Sequence, residues 1–123
     1  MGATPFVILL PPSEGKATGG DARKGWTCES GVFGNSLGDY RADVAAHLRR
    51  AKGGDQKLLG VKGAHLTHAQ AQNRALVGAP SLPAWQRYTG VVWDHLDLAS
   101  LPQASRTAAT KRIFVPSGMA GLI

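Results

Sequence analysis

This chain lacks the features that mark secreted or membrane-spanning proteins. It has one cysteine in 123 residues, so no internal disulfide can form, and one thiol with four scattered histidines makes no zinc framework. Cys28 reads instead as a small, partly buried apolar side chain. The longest apolar run, Phe6-Val7-Ile8-Leu9-Leu10, is stopped by Pro11-Pro12, far short of the roughly 20 residues that cross a bilayer. Met1-Gly2-Ala3-Thr4 has no positive start, and the run behind it is shorter than a secretory leader's apolar core. A cytoplasmic protein with no membrane partner is expected. Acids are scarce too: eight Asp and Glu against fourteen Lys and Arg leave a net charge of +6.

What is present sets further bounds. A 43% apolar and 18% charged composition supplies a globular core and excludes a wholly disordered chain. The length leaves room for one core, so a single domain over residues 1–123 is expected. The charge is not spread evenly. Residues 41–87 hold eight bases (Arg41, Arg49, Arg50, Lys52, Lys57, Lys62, Arg74, Arg87) and two acids (Asp43, Asp55), which carry the whole +6. A basic segment suits an anionic partner, nucleic acid first, and on charge alone it equally suits a solvated face.

Phe6 to Leu10 reads as a strand buried on both faces and central in its sheet. Residues 17–38, rich in Gly and without a steady period, read as a long loop. Leu37, Tyr40, Val44 and Leu48 recur at helical spacing, with Ser36 or Asp39 as start and Gly53-Gly54 as stop. A short helix at 55–59 leads through Gly60-Val61-Lys62-Gly63 into a second one from Leu66 or Thr67 to Leu76. Ala84 to Tyr88 reads as extended, bracketed by Pro80 and Pro83. A short irregular helix follows from Val91, then a helix from Pro102 to about Thr110, then a second core strand at Arg112-Ile113-Phe114-Val115. Helices interleaved with strands make the fold class mixed α+β.

Two segments could carry chemistry. Pro11-Pro12-Ser13-Glu14-Gly15-Lys16 follows a strand, where α/β folds form ligand crevices. It is not a P-loop, because Leu10 and Ala17 stand where Gly and Ser or Thr are needed. Ser13-x-x-Lys16 matches a nucleophile and base spacing, without the Ser-Asp-Asn and Lys-Thr-Gly elements that accompany it. An anion-holding Lys16 with Ser13 and loop amides is the simpler chemistry, against a plain capped turn. The second segment is Leu59-Gly60-Val61-Lys62-Gly63. It fits a helix-hairpin-helix element, in which two glycines let the backbone approach a DNA phosphate and the next helix points N–H groups at it. An ordinary Gly-containing turn fits as well; the surrounding positive charge favours DNA. His65 and His68 are too few for a metal site, and no cofactor is implied.

Several segments together resemble the YaaA family, the bacterial peroxide stress proteins, in its actinobacterial branch. They are Leu9-Leu10-Pro11-Pro12-Ser13-Glu14-Gly15-Lys16, then Asn73, Ala79-Pro80-x-Leu82-Pro83-Ala84, Arg87-Tyr88-Thr89-Gly90-Val91-Val92-Trp93-Asp94, and Ser117-Gly118-Met119-Ala120-Gly121-Leu122. Met119 stands where the family usually has Leu. The resemblance covers nearly all of this chain and about half of the family's length, so it implies a partial domain, the N-terminal half of a YaaA-like fold, whose C-terminal half is a missing partner. It implies a cytoplasmic protein that lowers free iron under peroxide. It further implies binding of double-stranded DNA through the phosphate backbone, and a cleft lined by Ser13, Lys16, Tyr88, Thr89 and Gly90. The DNA contacts expected are Gly60, Lys62 and Gly63, with Arg49, Arg50 and Lys57 around them. The alternative is an enzyme acting on an anionic small molecule, with Lys16 as anion clamp or acid/base and Ser13 and Tyr88 as partners, which requires those side chains to converge.

Overall fold

The structure is a computed structural model and describes residues 4–123; residues 1–3, part of the stretch bearing on a leader peptide, lie outside it. In chain order the elements are β1 (Ile8–Leu9), β2 (Asp21–Gly25), α1 (Gly34–Arg50), α2 (Gln56–Leu59), α3 (Gly63–Arg74), β3 (Pro80–Ser81), α4 (Ala84–Arg87), α5 (Val91–Leu96), a 3-10 turn (Leu98–Ser100), α6 (Gln103–Thr110), β4 (Ile113–Phe114), β5 (Pro116–Ser117) and β6 (Gly121–Leu122). The fold is mixed α+β. The chain divides into two compact units, one formed by Met1–Gly19 with Leu82–Ile123 and the other by Gly20–Ser81. Among the described residues no helix is long and apolar enough to cross a membrane.

In the first unit β1 and β4 pair in parallel, Ile8 opposite Ile113 and Leu9 opposite Phe114. Tyr88, Trp93 and Val115 form the core, with Leu10, Ala84, Trp85, Leu96 and Ile113 packed around them. The Tyr88 and Trp93 rings stack with centroids 5.3 Å apart, an arrangement that adds specific aromatic attraction to area burial. The tight β5–β6 hairpin is closed by the Ser117 hydroxyl, which accepts from the Ala120 amide at 3.1 Å. Two expectations are corrected here. Ala84 to Arg87 is one helical turn, not extended chain: Pro83 sits at its start, where the missing N–H costs nothing, and its carbonyl accepts from Gln86 and Arg87. And β1, expected to be buried and central, has among the described residues a neighbour on one edge only, with Phe6, Val7, Ile8 and Leu9 between 41% and 66% exposed.

The second unit holds three helices, with α1 and α2 each packed against α3, and a short β2–β3 ladder. Residues 17–38 are not one loop: Asp21–Gly25 is a strand, antiparallel to Pro80–Ser81, and α1 begins at Gly34. Arg23 hydrogen-bonds Asp21 there and holds its carboxyl below the usual carboxylate range. The start of α1 is Phe33 with no side-chain cap, so Ser36 and Asp39 lie inside the helix. Its inward stripe is not Leu37-Tyr40-Val44-Leu48 either. Gly34, Gly38, Arg41 and Ala45 are the buried residues, while Tyr40 and Val44 are exposed. The reason is close approach: a Cβ on Gly34 would stand 1.8 Å from the Glu29 carbonyl oxygen, so the glycine face is the one that can lie against the preceding loop.

The short helix expected at 55–59 is present as α2. Asp55 caps it, its carboxylate accepting from the Leu58 amide at 2.8 Å, and Gly60 ends it in the left-handed conformation, the usual glycine device at a helix C-terminus. The turn to α3 is shorter than expected, because α3 starts at Gly63 rather than at Leu66.

Candidate functional site

Two groups of residues call for placement, one in each unit. In the first, the segment leaving β1 folds back along residues 87–89. The Thr89 amide donates to the Gly15 carbonyl at 3.1 Å and the Ala17 amide to the Arg87 carbonyl at 2.7 Å, with Lys16 opposite Tyr88 in an antiparallel bridge. Ser13 Oγ donates to the Thr89 carbonyl. Lys16 Nζ donates to the Ser13 carbonyl at 3.0 Å and lies 5.7 Å from the Tyr88 ring centroid. Gly15 and Gly90 allow this crowding: an added Cβ would stand 2.6 Å from Thr89 Oγ1 at Gly15 and 3.1 Å from Ser13 Oγ at Gly90, whose φ of +110° is itself a glycine conformation. Ser13, Lys16, Tyr88, Thr89 and Gly90 are thus brought together. Only one of the three N–H groups of Lys16 is engaged by Ser13, so an exposed ammonium remains free to meet an anion.

Arg87, counted above with the basic segment, serves this loop instead. Its guanidinium donates to the carbonyls of Ala17 and Gly19, at 2.5 Å and 2.9 Å. Sequence reasoning missed that role because the partners lie about seventy positions away. A cavity of about 280 Å³ in the same unit is lined by apolar groups, among them Trp85, Trp93, Leu98 and Ile113, with Thr110 the polar one. It includes none of Ser13, Lys16 or Tyr88, so the cavity is an apolar feature separate from the polar cluster.

Burial raises the Tyr88 phenol above its ordinary value near 10. The linkage follows from that direction. Below pH 10 the phenol is neutral in both states. As pH rises past 10 the unfolded chain ionises first, and stability falls until the folded-state value is passed. Alkaline titration followed at 295 nm should therefore show one tyrosine step above pH 10 that disappears in Tyr88→Phe; a titration curve unaltered above pH 10 by that substitution would refute the assignment.

In the second unit Gly60 and Gly63 have φ of +69° and +60°, and neither would meet an atom within 4 Å if a Cβ were added. The turn between α2 and α3 is therefore unobstructed beside both glycines, with exposed Lys62 between them. Lys62 stands at the start of α3 with no side-chain cap, and no acid occupies the first turn, so the leading amides of a 12-residue helix are unoccupied by the protein's own carboxylates. Arg49, Arg50, Lys57 and Lys62 are exposed and none is in an ion pair among the described residues. Arg41 does not belong to this surface: it is 3% exposed and bound to the carbonyls of Cys28 and Ser30. The signal for that was its place on the Gly34, Gly38, Ala45 stripe. His65 and His68 are exposed, and among the described residues no group of three or more His, Cys, Asp or Glu could hold a metal.

Against known proteins, no family profile and no solved structure matches this chain. Three curated relatives do. A UPF0246 protein of Streptomyces coelicolor is 36% identical over 96% of this chain. Two UPF0246 proteins of Corynebacterium glutamicum strains are 34% identical over 96% of it. In each case the match takes in 46% of the relative, so the chain spans about half the length of the curated relatives it matches.

Proposed function

The chain belongs, over about half of their length, to the UPF0246 proteins, the YaaA family, and on that footing we propose that it binds double-stranded DNA by its phosphates and takes part in limiting iron-dependent damage under peroxide stress. The observation that carries the DNA reading is the 60–63 turn. Two open left-handed glycines flank an exposed lysine at the uncapped start of a helix, so peptide N–H groups and an ammonium can meet one phosphate with no side chain in the way. Lys57, Arg49 and Arg50 add charge, none of them in an ion pair among the described residues. The α2–turn–α3 segment then works as a helix-hairpin-helix. Contacts of this kind position the backbone and read no sequence.

Fluorescence anisotropy with a labelled duplex and a salt series tests this. Four phosphate contacts give an expected loss of affinity of about 100-fold between about 50 and 200 mM salt. Lys62→Glu is expected to weaken binding about tenfold at the low-salt end and to flatten the salt slope by about one contact. Absence of binding at low salt, or a Lys62→Glu variant that binds like the parent, overturns the reading.

A second reading, an enzyme or binding site for an anionic small molecule, is favoured by one observation, the convergence of Ser13, Lys16 and Tyr88 described above. Its Lys16 is exposed and lies outside the apolar cavity, which suits binding of an extended anion better than chemistry on a sequestered one.

A further inference from the structure

In β1 the sequence and its surroundings disagree. Phe6, Val7, Ile8 and Leu9 are 56%, 66%, 41% and 63% exposed. Neighbouring strand residues point to opposite faces, so both faces of the strand are largely exposed; Leu10 at its end packs against the core, and the Arg112 guanidinium lies 4.5 Å from the centroid of the Phe6 ring. The hydrogen bonding is one-sided as well. The amides of Ile8 and Leu10 reach the carbonyls of Arg112 and Phe114 at 2.7 and 3.0 Å. In a ladder the alternate residues serve the opposite edge, so Val7 and Leu9 turn their backbone groups to a side where no described strand lies. Parallel strands with apolar residues on both faces are interior strands, and a bare apolar edge is a template for another strand.

The length of the relatives indicates what fills it. Each relative carries more than as much chain again as the match takes in. We propose that the free edge and faces of β1 receive the part of the family's polypeptide that this chain does not span, as a strand added beside β1 together with the apolar layers that cover it. A second copy of this chain suits the surface less well. A two-fold axis at that edge would pair β1 with itself in antiparallel fashion and still leave both faces bare. The proposal rests on family membership and on β1, and is independent of DNA binding by the 60–63 turn.

The test is to co-produce this chain, carrying an affinity tag, with the part of the Streptomyces coelicolor relative that it does not span. Molecular mass and amide exchange are then measured on what is recovered. A one-to-one complex is expected, with exchange at Val7 and Leu9 slowed at least about tenfold against the chain alone. Leu9→Asp and Val7→Asp, both at exposed positions, should each cut recovery of the complex at least about tenfold while leaving the far-ultraviolet dichroism of the chain alone unchanged. Failure to form the complex overturns the proposal, and so does a complex indifferent to both substitutions. A homodimer of this chain alone that protects the same amides assigns the edge to a second copy instead. Anisotropy on the same samples reports DNA binding separately, so neither reading can fail in place of the other.

Discussion

Arg41→Ala is expected to lower the unfolding free energy by about 3 kcal/mol, read as a fall in the urea midpoint at unchanged slope. The side chain is 3% exposed, and its Nη1 donates to the Cys28 carbonyl at 2.8 Å and to the Ser30 carbonyl at 2.7 Å. Both acceptors lie in the loop before α1, so one guanidinium ties that loop to the helix. Bonds from a charged donor contribute about 1.5–3 kcal/mol each, and an acceptor left buried without a partner costs about 1–3 kcal/mol more. The Ser30 side is only half-buried, where water can replace part of the loss, which brings the sum down to the stated figure. Arg41→Lys should recover about half of it, because an ammonium keeps the charge and loses the planar fork. The salt slope of the proposed DNA binding should stay at the parent value in the refolded alanine variant, since Arg41 is not offered to solvent. A midpoint within about 0.5 kcal/mol of the parent would contradict the role assigned to this residue.

Gly53→Ala is expected to cost about as much, some 3–4 kcal/mol, from two sources. The residue has φ of +92°, between Lys52 at +55° and Gly54 at +96°, and an L side chain there pays about 1–2 kcal/mol. Its Cβ would also stand 2.3 Å from the Gln70 carbonyl oxygen and 2.6 Å from the Gln70 Cα. Those are backbone atoms of α3, so relief requires the helix to move. The same junction is held by Gln70 Nε2 donating to the Gly54 carbonyl, Asn73 Nδ2 to the Gly53 carbonyl and Arg74 Nη1 to the Lys52 carbonyl, each at 2.8 Å. Displacing α3 disturbs all three bonds. Gly60→Ala is the control: φ of +69° and open space leave only the conformational cost of about 1–2 kcal/mol. Denaturant curves on both variants decide the matter, and equal losses would show that close approach at Gly53 carries no cost of its own.

These two positions also show where sequence reading stops. Gly53-Gly54 is legible as a helix stop, since glycine at positive φ acts within the turn it occupies. That Gly53 is pressed against Gln70, and that Asn73 serves its carbonyl, depends on how α1 and α3 meet. Likewise Leu37, Tyr40, Val44 and Leu48 have the right period for a buried stripe, yet hydropathy cannot report that a glycine-lined face approaches closer and lets Arg41 satisfy two carbonyls. The site residues divide in the same way. Gly60, Lys62 and Gly63 stand out locally because their spacing and type already define a turn. Ser13 and Lys16 stand out only as types, and their meeting with Tyr88 and Thr89 is a long-range fact.

The sequence by itself therefore determined the element types set by nearby residues: the short helix at 55–59, the stop at Gly53-Gly54, the helix after Pro102, and strands at Ile8–Leu9 and Ile113–Phe114. It also determined the family, through ordered motifs, and the concentration of positive charge in residues 41–87. Tertiary structure alone decided which of those charges remain available, taking Arg41, Arg74 and Arg87 into carbonyl bonds. It also left Phe6, Val7, Ile8 and Leu9 exposed. The physical reason is range: caps, prolines and left-handed glycines act over a few bonds, whereas burial and partner choice belong to segments that only the folded chain brings together.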